Sequence, residues 1–551
     1  IFDWLEKGHT MDELKDLQEF DVISYFNKTD DSIETEQSKS KEPQSKSLLD
    51  FINNSDMELF CDGVNDSYAS VMINGHREIL SVESKEFNWY LNHLYFEKFK
   101  KTINKDNLLQ VINILQAEAR FGNVKKIPLS NRVAEKDNSF WYDLTNDKWQ
   151  AVEINSSGWN IVDNPPILFN RYRHQAEQII PVKNGDINKV FDYLNIKNYH
   201  TLFLCWLVSC FVPDIPHAMP IIHGEKGSAK STACSLLKQL IDPSVLETLT
   251  VPKDMRSLIV NLQKHWFLPF DNVSYINEEV SDTLCRAITG GGIQQRRLNT
   301  NAEDCIFTFK RCLAINGINN VATRSDLLDR AILIELSRIE DKDRRELSEV
   351  QNSFKVDLPY ILGGIFDILS KAISIYPTVE LDRLTRLADF TRWGYAIGEA
   401  LGGKGQNFID EYNSNIKTQN DEALNNDNVA TLIIAFMSDK ENWNGKVSEL
   451  YNKLVDLTSN CGIASNSKQL PKGANHLSRR LKQLQSNLKS IGISFTTYSK
   501  SDANYISIKN EKTSPLPPYK QKFNNNTVFQ NGDSELLSSD NGDNYEDDVT
   551  F

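Results

Sequence analysis

The chain has 551 residues, of which 40% are hydrophobic and 25% are charged, and its formal net charge is -14. This length exceeds the roughly 250 to 300 residues at which single hydrophobic cores stop growing, so we expect at least three folded units. The acidic balance excludes a surface that is basic throughout, no uninterrupted apolar run suits a membrane span, and eight scattered cysteines predict reduced, buried thiols in a cytoplasmic protein.

The amino-terminal third predicts three segments. Residues 1–20 place Thr10 and Glu13 at capping-box spacing before a helical pattern, and they are predicted to be the end of a preceding domain. Residues 21–56 are rich in Ser, Lys, Glu, Asp and Gln and predict a flexible linker. Residues 57–185 predict a small α+β domain with strands at "YASVMI" and "GWNIV". The aromatic residues of its helix "EFNWYLNHLYFEKF" are predicted to belong to the core.

The remainder predicts an α/β domain followed by a smaller one. Between residues 186 and 405 helices alternate with the apolar stretches "MPIIH", "HWFLPF", "RCLAI" and "AILIEL", the pattern of a mostly parallel sheet. A Gly-rich and then Asn-rich passage at 401–425 predicts a boundary before a domain at 425–510. Residues 511–551 are poor in apolar residues and acidic, so we expect a disordered tail.

A candidate phosphate-binding loop, "GEKGSAKST", lies between a predicted strand and a predicted helix. Such a loop needs small residues that let backbone N–H groups converge, a lysine for the terminal phosphates and a hydroxyl for magnesium. Ala229 replaces the usual glycine, but it adds one methyl group where the chain enters a helix. The predicted ATP-binding residues are Gly224, Glu225, Lys226, Gly227, Ser228, Ala229, Lys230, Ser231 and Thr232.

Polar residues that end the neighbouring predicted strands complete this candidate site. Asp271 ends "HWFLPFDN" and is predicted to hold Mg²⁺ together with Ser231. Asn316 ends "RCLAIN" and suits contact with the γ-phosphate or the attacking water. Asn272 stands where many ATPases have a glutamate, so the general base stays open between Glu225 and the pair at 278–279.

Two arginines precede the last apolar strand, in "ATRSDLLDRAILIEL". Either Arg324 or Arg330 could stabilise the transition-state charge on a phosphate bound by a neighbouring subunit.

A winged helix is predicted near the carboxyl end, where a basic amphipathic helix precedes two strand-like stretches. Its candidate DNA-binding residues are Arg479, Arg480 and Lys482.

The order of "GEKGSAKS", "FLPFDN", "AINGINN" and "RSDLLDRAILIEL" resembles the AAA+ ATPase module of phage and mobile-element primase-helicases, relatives of superfamily III and minichromosome-maintenance helicases. The resemblance implies a P-loop NTPase core that forms a ring, usually of six subunits, with ATP and Mg²⁺ as cofactors. It implies that Asn316 is sensor 1, that Arg330 is the arginine finger with Arg324 as the alternative, and that sensor 2 is Arg386 or Arg392. The opening of the chain resembles the end of a Toprim-type primase domain.

The same resemblance implies a DNA-gripping hairpin just before sensor 1. The stretch "TGGGIQQRRLNTNAEDCIFTFKR" has a hairpin pattern, and phosphate contacts need charge and not base identity. Its candidate contacts to single-stranded DNA are Arg296, Arg297, Lys310 and Arg311.

The leading interpretation is a ring-forming, ATP-dependent DNA helicase for the replication of a phage or mobile element. The alternative is a nucleotide-switched, DNA-binding initiator or loader with slow ATP hydrolysis.

Overall fold

The computed structural model of the chain divides into two compact units, residues 1–423 and residues 424–551. The structure describes residues 43–296, 304–307, 310–317, 325–425, 427–463, 470–501 and 503–511. The predicted domain remnant at 1–20 and nearly all of the predicted tail at 511–551 lie outside these described residues. Each of the two units is described by itself.

The first unit begins with three helices and a three-stranded antiparallel sheet. In chain order these elements are α1 Gln44–Asn53, β1 Glu58–Cys61, β2 Ser67–Ile73, β3 His76–Ser81, α2 Lys85–Phe99 and α3 Lys105–Phe121. Helix α1 occupies part of the predicted linker at 21–56, and this corrects the linker prediction. Leu48 and Ile52, one helical turn apart, are buried in the core of these elements, and such burial stabilises a helix.

A second antiparallel sheet shares its core with the elements that follow it. Its strands are β4 Val133–Lys136, β5 Ser139–Asp143, β6 Ala151–Asn155 and β7 Gly158–Val162, paired in sequence order. The ring centroid of Tyr142 lies 5.2 Å from that of Phe211 and 5.6 Å from that of Phe366. The predicted boundary between 57–185 and 186–405 therefore does not separate two cores.

The centre of the first unit is a parallel sheet of four strands in the order β13-β8-β12-β9. Each of the four apolar stretches predicted as strands overlaps one of these strands. Nearly all the residues of the four strands are buried, as expected for strands covered on both faces. The elements from residue 200 to 336 are α4 His200–Ser209, β8 Met219–Gly224, α5 Lys230–Ile241, α6 Met255–Lys264, β9 Phe267–Phe270, α7 Glu278–Thr289, β10 Ile293–Arg296, β11 Asp304–Phe307, β12 Cys312–Asn316, α8 Ser325–Leu328 and β13 Ala331–Leu336.

The unit ends with α9 Leu347–Ile375, α10 Ala388–Ala400 and α11 Gly405–Asn425. Helix α11 corrects the predicted domain end at 405, because residues up to 423 belong to the first unit. Asn415 explains this attachment: its Nδ2 donates to the carbonyl oxygen of Leu333 at 2.7 Å, and its Oδ1 accepts the N–H of Leu333 at 2.9 Å. The amide thus satisfies backbone groups at the edge of the parallel sheet.

The segment Leu347–Thr378, which includes α9, is long and apolar enough to cross a membrane by length and composition. Over half of its most apolar window is buried inside the protein. Its Phe354, Leu362, Phe366 and Leu369 pack into the main hydrophobic core. This packing is that of a core helix.

A buried ionic network joins the residue before β4 to the carboxyl end of α5. Arg132 Nε donates to Asp242 Oδ1 at 2.9 Å and Lys238 Nζ donates to Asp242 Oδ2 at 2.7 Å, with all three side chains fully buried. Lys238 Nζ also contacts His265 Nδ1 at 3.2 Å, and the His265 ring lies 3.8 Å from that of His174. Burial and the charge of Lys238 lower the pKa of His265 to about 2 and the pKa of His174 to about 4.

The second unit alternates helices with a three-stranded antiparallel sheet. Its elements are α12 Asn428–Met437, β14 Asn442–Lys446, α13 Val447–Leu457, α14 Ala474–Ser490, β15 Ile493–Ser499 and β16 Asn504–Asn510, with strand order β14-β16-β15. Leu477, Leu481, Leu484 and Leu488 face the core of this unit. The predicted basic helix followed by two strands is confirmed.

Candidate phosphate site and nucleic-acid contacts

The loop between β8 and α5 is compact and depends on glycine. Gly224 and Gly227 have φ angles of 151° and 84°, which favour glycine. A methyl group added at Gly224 would lie 2.5 Å from the carbonyl oxygen of Leu336, so no larger residue fits beside β13. The buried Ser228 Oγ donates to the carbonyl oxygen of Glu225 at 2.9 Å. The loop leads directly into the amino terminus of α5, where backbone N–H groups lack helical partners.

Lys230 lies folded over this loop. Its Nζ donates to the carbonyl oxygens of Gly224 and Glu225, both at 2.9 Å. A phosphate would offer the same ammonium group charged acceptors, which form shorter and stronger hydrogen bonds than neutral carbonyls. Residues 225–227 are exposed, so the loop is open to an anion from solvent.

Ala229 adopts the left-handed backbone conformation, with φ 57° and ψ 35°. This conformation costs an L-residue about 1–2 kcal/mol, whereas glycine adopts it freely. Alanine in place of glycine therefore adds backbone strain as well as the one methyl group that the sequence indicates. It preserves the glycine-type backbone path of the loop at the expense of local strain.

Ser231, Asp271 and Asn316 meet at the carboxyl edge of the parallel sheet. Ser231 Oγ donates to Asp271 Oδ1 at 2.9 Å, and Asn316 Nδ2 donates to the same carboxylate oxygen. Asn316 Nδ2 also lies 3.5 Å from Ser231 Oγ. Asp271 and Asn316 follow or end the neighbouring parallel strands β9 and β12, so the topology brings them together.

This group of oxygen atoms suits a hard divalent cation. Hydroxyl and carboxylate oxygens are ligands that Mg²⁺ accepts, and Mg²⁺ commonly keeps water and substrate phosphates as its other ligands. Within the described part of the chain, no three His, Cys, Asp or Glu side chains cluster in a way that could hold a metal ion. A cation beside Ser231 and Asp271 would therefore need oxygen atoms from a bound phosphate and water.

The residue after Asp271 carries an amide, and its backbone is also unusual. Asn272 is exposed with φ 54°, a left-handed conformation that asparagine tolerates better than most residues. The candidate general bases lie apart in the fold: Glu225 is an exposed loop residue, and 278–279 form the exposed first turn of α7.

Two of the predicted arginines meet at one carboxylate. Arg330 Nη1 lies 3.0 Å from Asp326 Oδ1, and Arg386 Nη2 lies 2.8 Å from the same oxygen. Arg386 Nη1 also contacts Asp329 Oδ2 at 2.9 Å. The structure thus joins the predicted finger to one of the two sensor 2 candidates.

The other sensor 2 candidate is held elsewhere. The guanidinium of Arg392 lies 4.4 Å from the ring centroid of Tyr376, and its Nη2 donates to the carbonyl oxygen of Tyr376 at 3.3 Å. These contacts are those of a packing residue. Arg386 remains a sensor 2 candidate, and Arg324 lies outside the described residues.

Arg344 lies beside the candidate phosphate-binding loop, although nothing in the sequence singled it out. A methyl group added at Gly227 would be 3.3 Å from Arg344 Nη2, and the N–H of Ile339 donates to the carbonyl oxygen of Gly227 at 3.3 Å. Arg344 also pairs with Asp341 at 3.0 Å. The charged residues after β13 have the pattern of a solvated segment. Only the folded structure shows that Arg344 lies next to Gly227.

The predicted hairpin is confirmed, whereas one of its candidate DNA contacts is corrected. Strands β10 and β11 pair antiparallel, but the side chain of Arg296 and all of Arg297 lie outside the described residues. Lys310 Nζ pairs with Asp214 Oδ1 at 2.8 Å. Arg311 donates through Nε to the carbonyl oxygen of Leu262 at 2.7 Å, and burial lowers the pKa of its guanidinium to about 10. A phosphate contact would have to replace these hydrogen bonds to backbone carbonyl oxygens. Arg311 is therefore better suited to packing beneath the hairpin than to binding DNA.

The three basic candidates on α14 differ in their surroundings. Arg479 and Lys482 are exposed, whereas Arg480 Nε donates to Asp427 Oδ2 at 2.8 Å. Asp427 is itself the N-cap of α12, accepting the N–H of Ala430 at 2.8 Å. Arg480 therefore links two helices of the second unit, while the other two side chains face solvent.

Two family models match this chain over adjacent regions. Residues 187–422 match the actinomycete integrative conjugative element replication protein, and residues 429–522 match the C-terminal domain of AICE RepA. The gap between the matches falls close to the division between the two units. These matches indicate a replication protein of a mobile genetic element. A search of curated protein sequences gave no match.

Several solved structures are similar over long stretches. An apo structure of the NrS-1 C-terminal region covers 86% of this chain and 100% of its own, with 15% identity and a TM-score of 0.36. A JCV helicase with a bound small molecule covers 38% of this chain and 68% of its own, with 13% identity and a TM-score of 0.20.

Proposed function

We propose that this chain is an ATP-driven DNA helicase that works as a ring of identical subunits, six in number by the family resemblance, in the replication of a mobile element. The observation that carries the proposal is the meeting of Ser231, Asp271 and Asn316 beside the loop of Lys230. The hydroxyl, carboxylate, amide and ammonium groups at this site suit a nucleoside triphosphate with its cation.

Each of these side chains has a role that its position supports. Lys230 would exchange the carbonyl oxygens of its loop for the terminal phosphates, and Arg344 could neutralise charge at the same loop. Ser231 and Asp271 would hold Mg²⁺, which neutralises phosphate charge when bound. Asn316 would orient the attacking water or the γ-phosphate, because its amide already points at Asp271.

Arg330 is proposed to act on the nucleotide of a neighbouring subunit. Its present partner, Asp326, is shared with Arg386, so release of one arginine leaves the carboxylate paired with the other. That exchange would let Arg330 move without leaving a bare charge behind. Arg324 remains the alternative finger.

DNA would contact two parts of the chain. The β10–β11 hairpin would grip one strand in the channel through Arg296 and Arg297, supported by Lys310. In the second unit, α12, β14, α13, α14, β15 and β16 follow one another in the order of a winged helix, with α14 as the reader of duplex DNA. Arg479 and Lys482 are its exposed candidates. A primase domain remains a proposed partner.

A nucleotide-switched initiator is the second candidate function. The amide of Asn272, directly after Asp271, favours it, because the position lacks a carboxylate that could activate water. Such a protein would bind ATP, hydrolyse it slowly and hold specific duplex DNA.

Hydrolysis of ATP by the purified chain, with and without single-stranded DNA, distinguishes the two functions. For the helicase, DNA raises the rate, and Lys230→Ala and Arg330→Ala each abolish it. Mixing these two variants partly restores hydrolysis, because a site can combine an intact loop with an intact finger. The control Arg256→Ala, an exposed arginine of the same unit, should behave as the unchanged chain. Negligible hydrolysis with ATP-strengthened duplex binding would replace the helicase with the initiator.

A further inference from the structure

Helix α2 carries two classes of aromatic residue, and this corrects the prediction that they all belong to the core. Phe87 and Tyr95 are buried together with Leu91, whereas Trp89 and Phe96 are 62% and 49% exposed. The helix is therefore apolar on the core side and aromatic on part of the solvent side. Grouped exposed apolar side chains, unlike single ones, mark interaction sites.

The exposed rings form a continuous line. Trp89, His93 and Phe96 are exposed and follow one another at spacings of four and three residues, which places them on one helix face, and the exposed Lys100 follows as the C-cap residue of α2. We call these four residues the aromatic stripe. Its two large rings, at positions 89 and 96, are seven positions apart, a distance of about 10 Å along the helix.

Basic groups accompany both rings of the aromatic stripe. Lys100 Nζ lies 5.7 Å from the ring centroid of Phe96, and the guanidinium of Arg173 lies 6.0 Å from that of Trp89. Arg173 and Lys100 also pair with Glu86 and Glu97, but their side chains remain 74% and 67% exposed. Between residues 83 and 106 five lysines face three glutamates and one aspartate, a net charge of +1 in a chain of -14.

We propose that the aromatic stripe is a binding site for single-stranded DNA, separate from the channel hairpin. Bases stack on exposed rings whatever their sequence, and lysine and arginine beside the rings contact the backbone phosphates. The local positive charge in an acidic chain favours a polyanion over an apolar protein segment. A span of about 10 Å accommodates roughly three stacked nucleotides at about 3.4 Å each.

This proposal rests on the proposed function only for the identity of the ligand, since the site lies far along the sequence from the phosphate loop. A strand held on α2 would be one that enters or leaves the motor. DNA affinity without nucleotide therefore tests the aromatic stripe, whereas ATP hydrolysis tests the motor. Either result can fail alone.

The experiment compares the affinities of full-length variants for a fluorescent oligothymidine by anisotropy, without nucleotide. Trp89→Ala/Phe96→Ala should weaken binding at least about tenfold, while Trp89→Phe/Phe96→Tyr, which keeps both rings, should restore most of it. The control Leu109→Ala/Ile114→Ala removes exposed apolar side chains of α3 in the same region and should leave affinity unchanged. Lys100→Gln should lower the slope of log affinity against log salt by about 0.7.

Photocrosslinking with an iodouracil oligonucleotide locates the contact directly. Crosslinks at Trp89 or Phe96 support the proposal. Unchanged affinity of Trp89→Ala/Phe96→Ala, an equal loss in the α3 control, or crosslinks confined to other parts of the chain would overturn it. Thermal melting of Trp89→Ala/Phe96→Ala should match that of the unchanged chain, which shows that the variant is folded without relying on ATP hydrolysis.

Discussion

Ser231 Oγ donates a hydrogen bond to Asp271 Oδ1 at 2.9 Å, although 40 residues separate the two in sequence. One residue belongs to the first turn of α5 and the other follows β9, so the contact joins the loop to the sheet edge. The hydroxyl and the carboxylate are thus already positioned next to each other before any cation binds. Such preorganisation lowers the reorganisation needed for binding.

Replacement of Asp271 by asparagine should abolish Mg²⁺-dependent binding of ATP with little change in thermal stability. The new amide side chain would keep the shape of the carboxylate but would lose the charge that attracts a divalent cation. Titration of a fluorescent ATP analogue with and without Mg²⁺ measures the effect. The control Asp282→Asn changes an exposed carboxylate of α7 and should bind normally; equal Mg²⁺ dependence in Asp271→Asn would contradict the assigned role.

Ala229→Gly should raise the free energy of unfolding by up to about 1 kcal/mol. Glycine relieves a left-handed conformation that costs about 1–2 kcal/mol, and its extra freedom in the unfolded chain offsets part of the gain. Urea denaturation measures the change. The control Ala233→Gly, at a buried position inside α5, should instead lower stability by at least about 0.5 kcal/mol. Destabilisation by both variants would contradict the strain at Ala229.

Arg344→Ala should raise the KM for ATP several-fold with less effect on kcat, because the arginine would contact ground state and transition state alike. Its position beside Gly227 supports this expectation. Lys342→Ala, which removes an exposed cation from the same turn, provides the control. A KM unchanged in Arg344→Ala would show that the arginine serves only its ion pair with Asp341.

Arg479→Ala and Arg480→Ala should separate DNA binding from stability in the second unit. Arg480→Ala should lower the free energy of unfolding by about 1–2 kcal/mol, because it removes a charged hydrogen-bond partner of Asp427. Arg479→Ala should change stability by less than about 0.5 kcal/mol but weaken duplex DNA binding. Thermal melts and anisotropy measure both properties. The reverse pattern would show that Arg480 is the DNA contact.

The protein should lose stability as the pH falls below about 6.5. The unfolded chain protonates its histidines near that pH, whereas the folded pKa is about 4 for His174 and about 2 for His265. Each such histidine then lowers the free energy of unfolding by up to about 1.4 kcal/mol for each pH unit of acidification. His174→Phe keeps a ring beside His265 and should reduce this slope between about pH 6 and 4.5 in urea denaturation. Equal slopes in His174→Phe and in the exposed-site control His93→Phe would contradict the prediction.

The sequence by itself determined the strands of the parallel sheet, the glycine-containing loop between β8 and α5 and the polar residues at the strand ends. Short apolar runs that end in Gly224, Asp271 or Asn316 are local patterns, and parallel strands necessarily share a carboxyl edge. The β10–β11 hairpin and the amphipathic face of α14 are local in the same way. Each could be predicted because neighbours in sequence carry the whole signal.

The tertiary structure alone decided which charged and aromatic residues are available for function. Arg311 is held by the backbone of α6, Arg330 and Arg386 share Asp326, and Trp89 faces solvent although Tyr95 on the same helix does not. The tertiary structure also decided that strands β4–β7 share a core with the parallel sheet and that α11 attaches to that sheet through Asn415. These outcomes depend on contacts between residues distant in the chain, which periodicity and spacing do not encode.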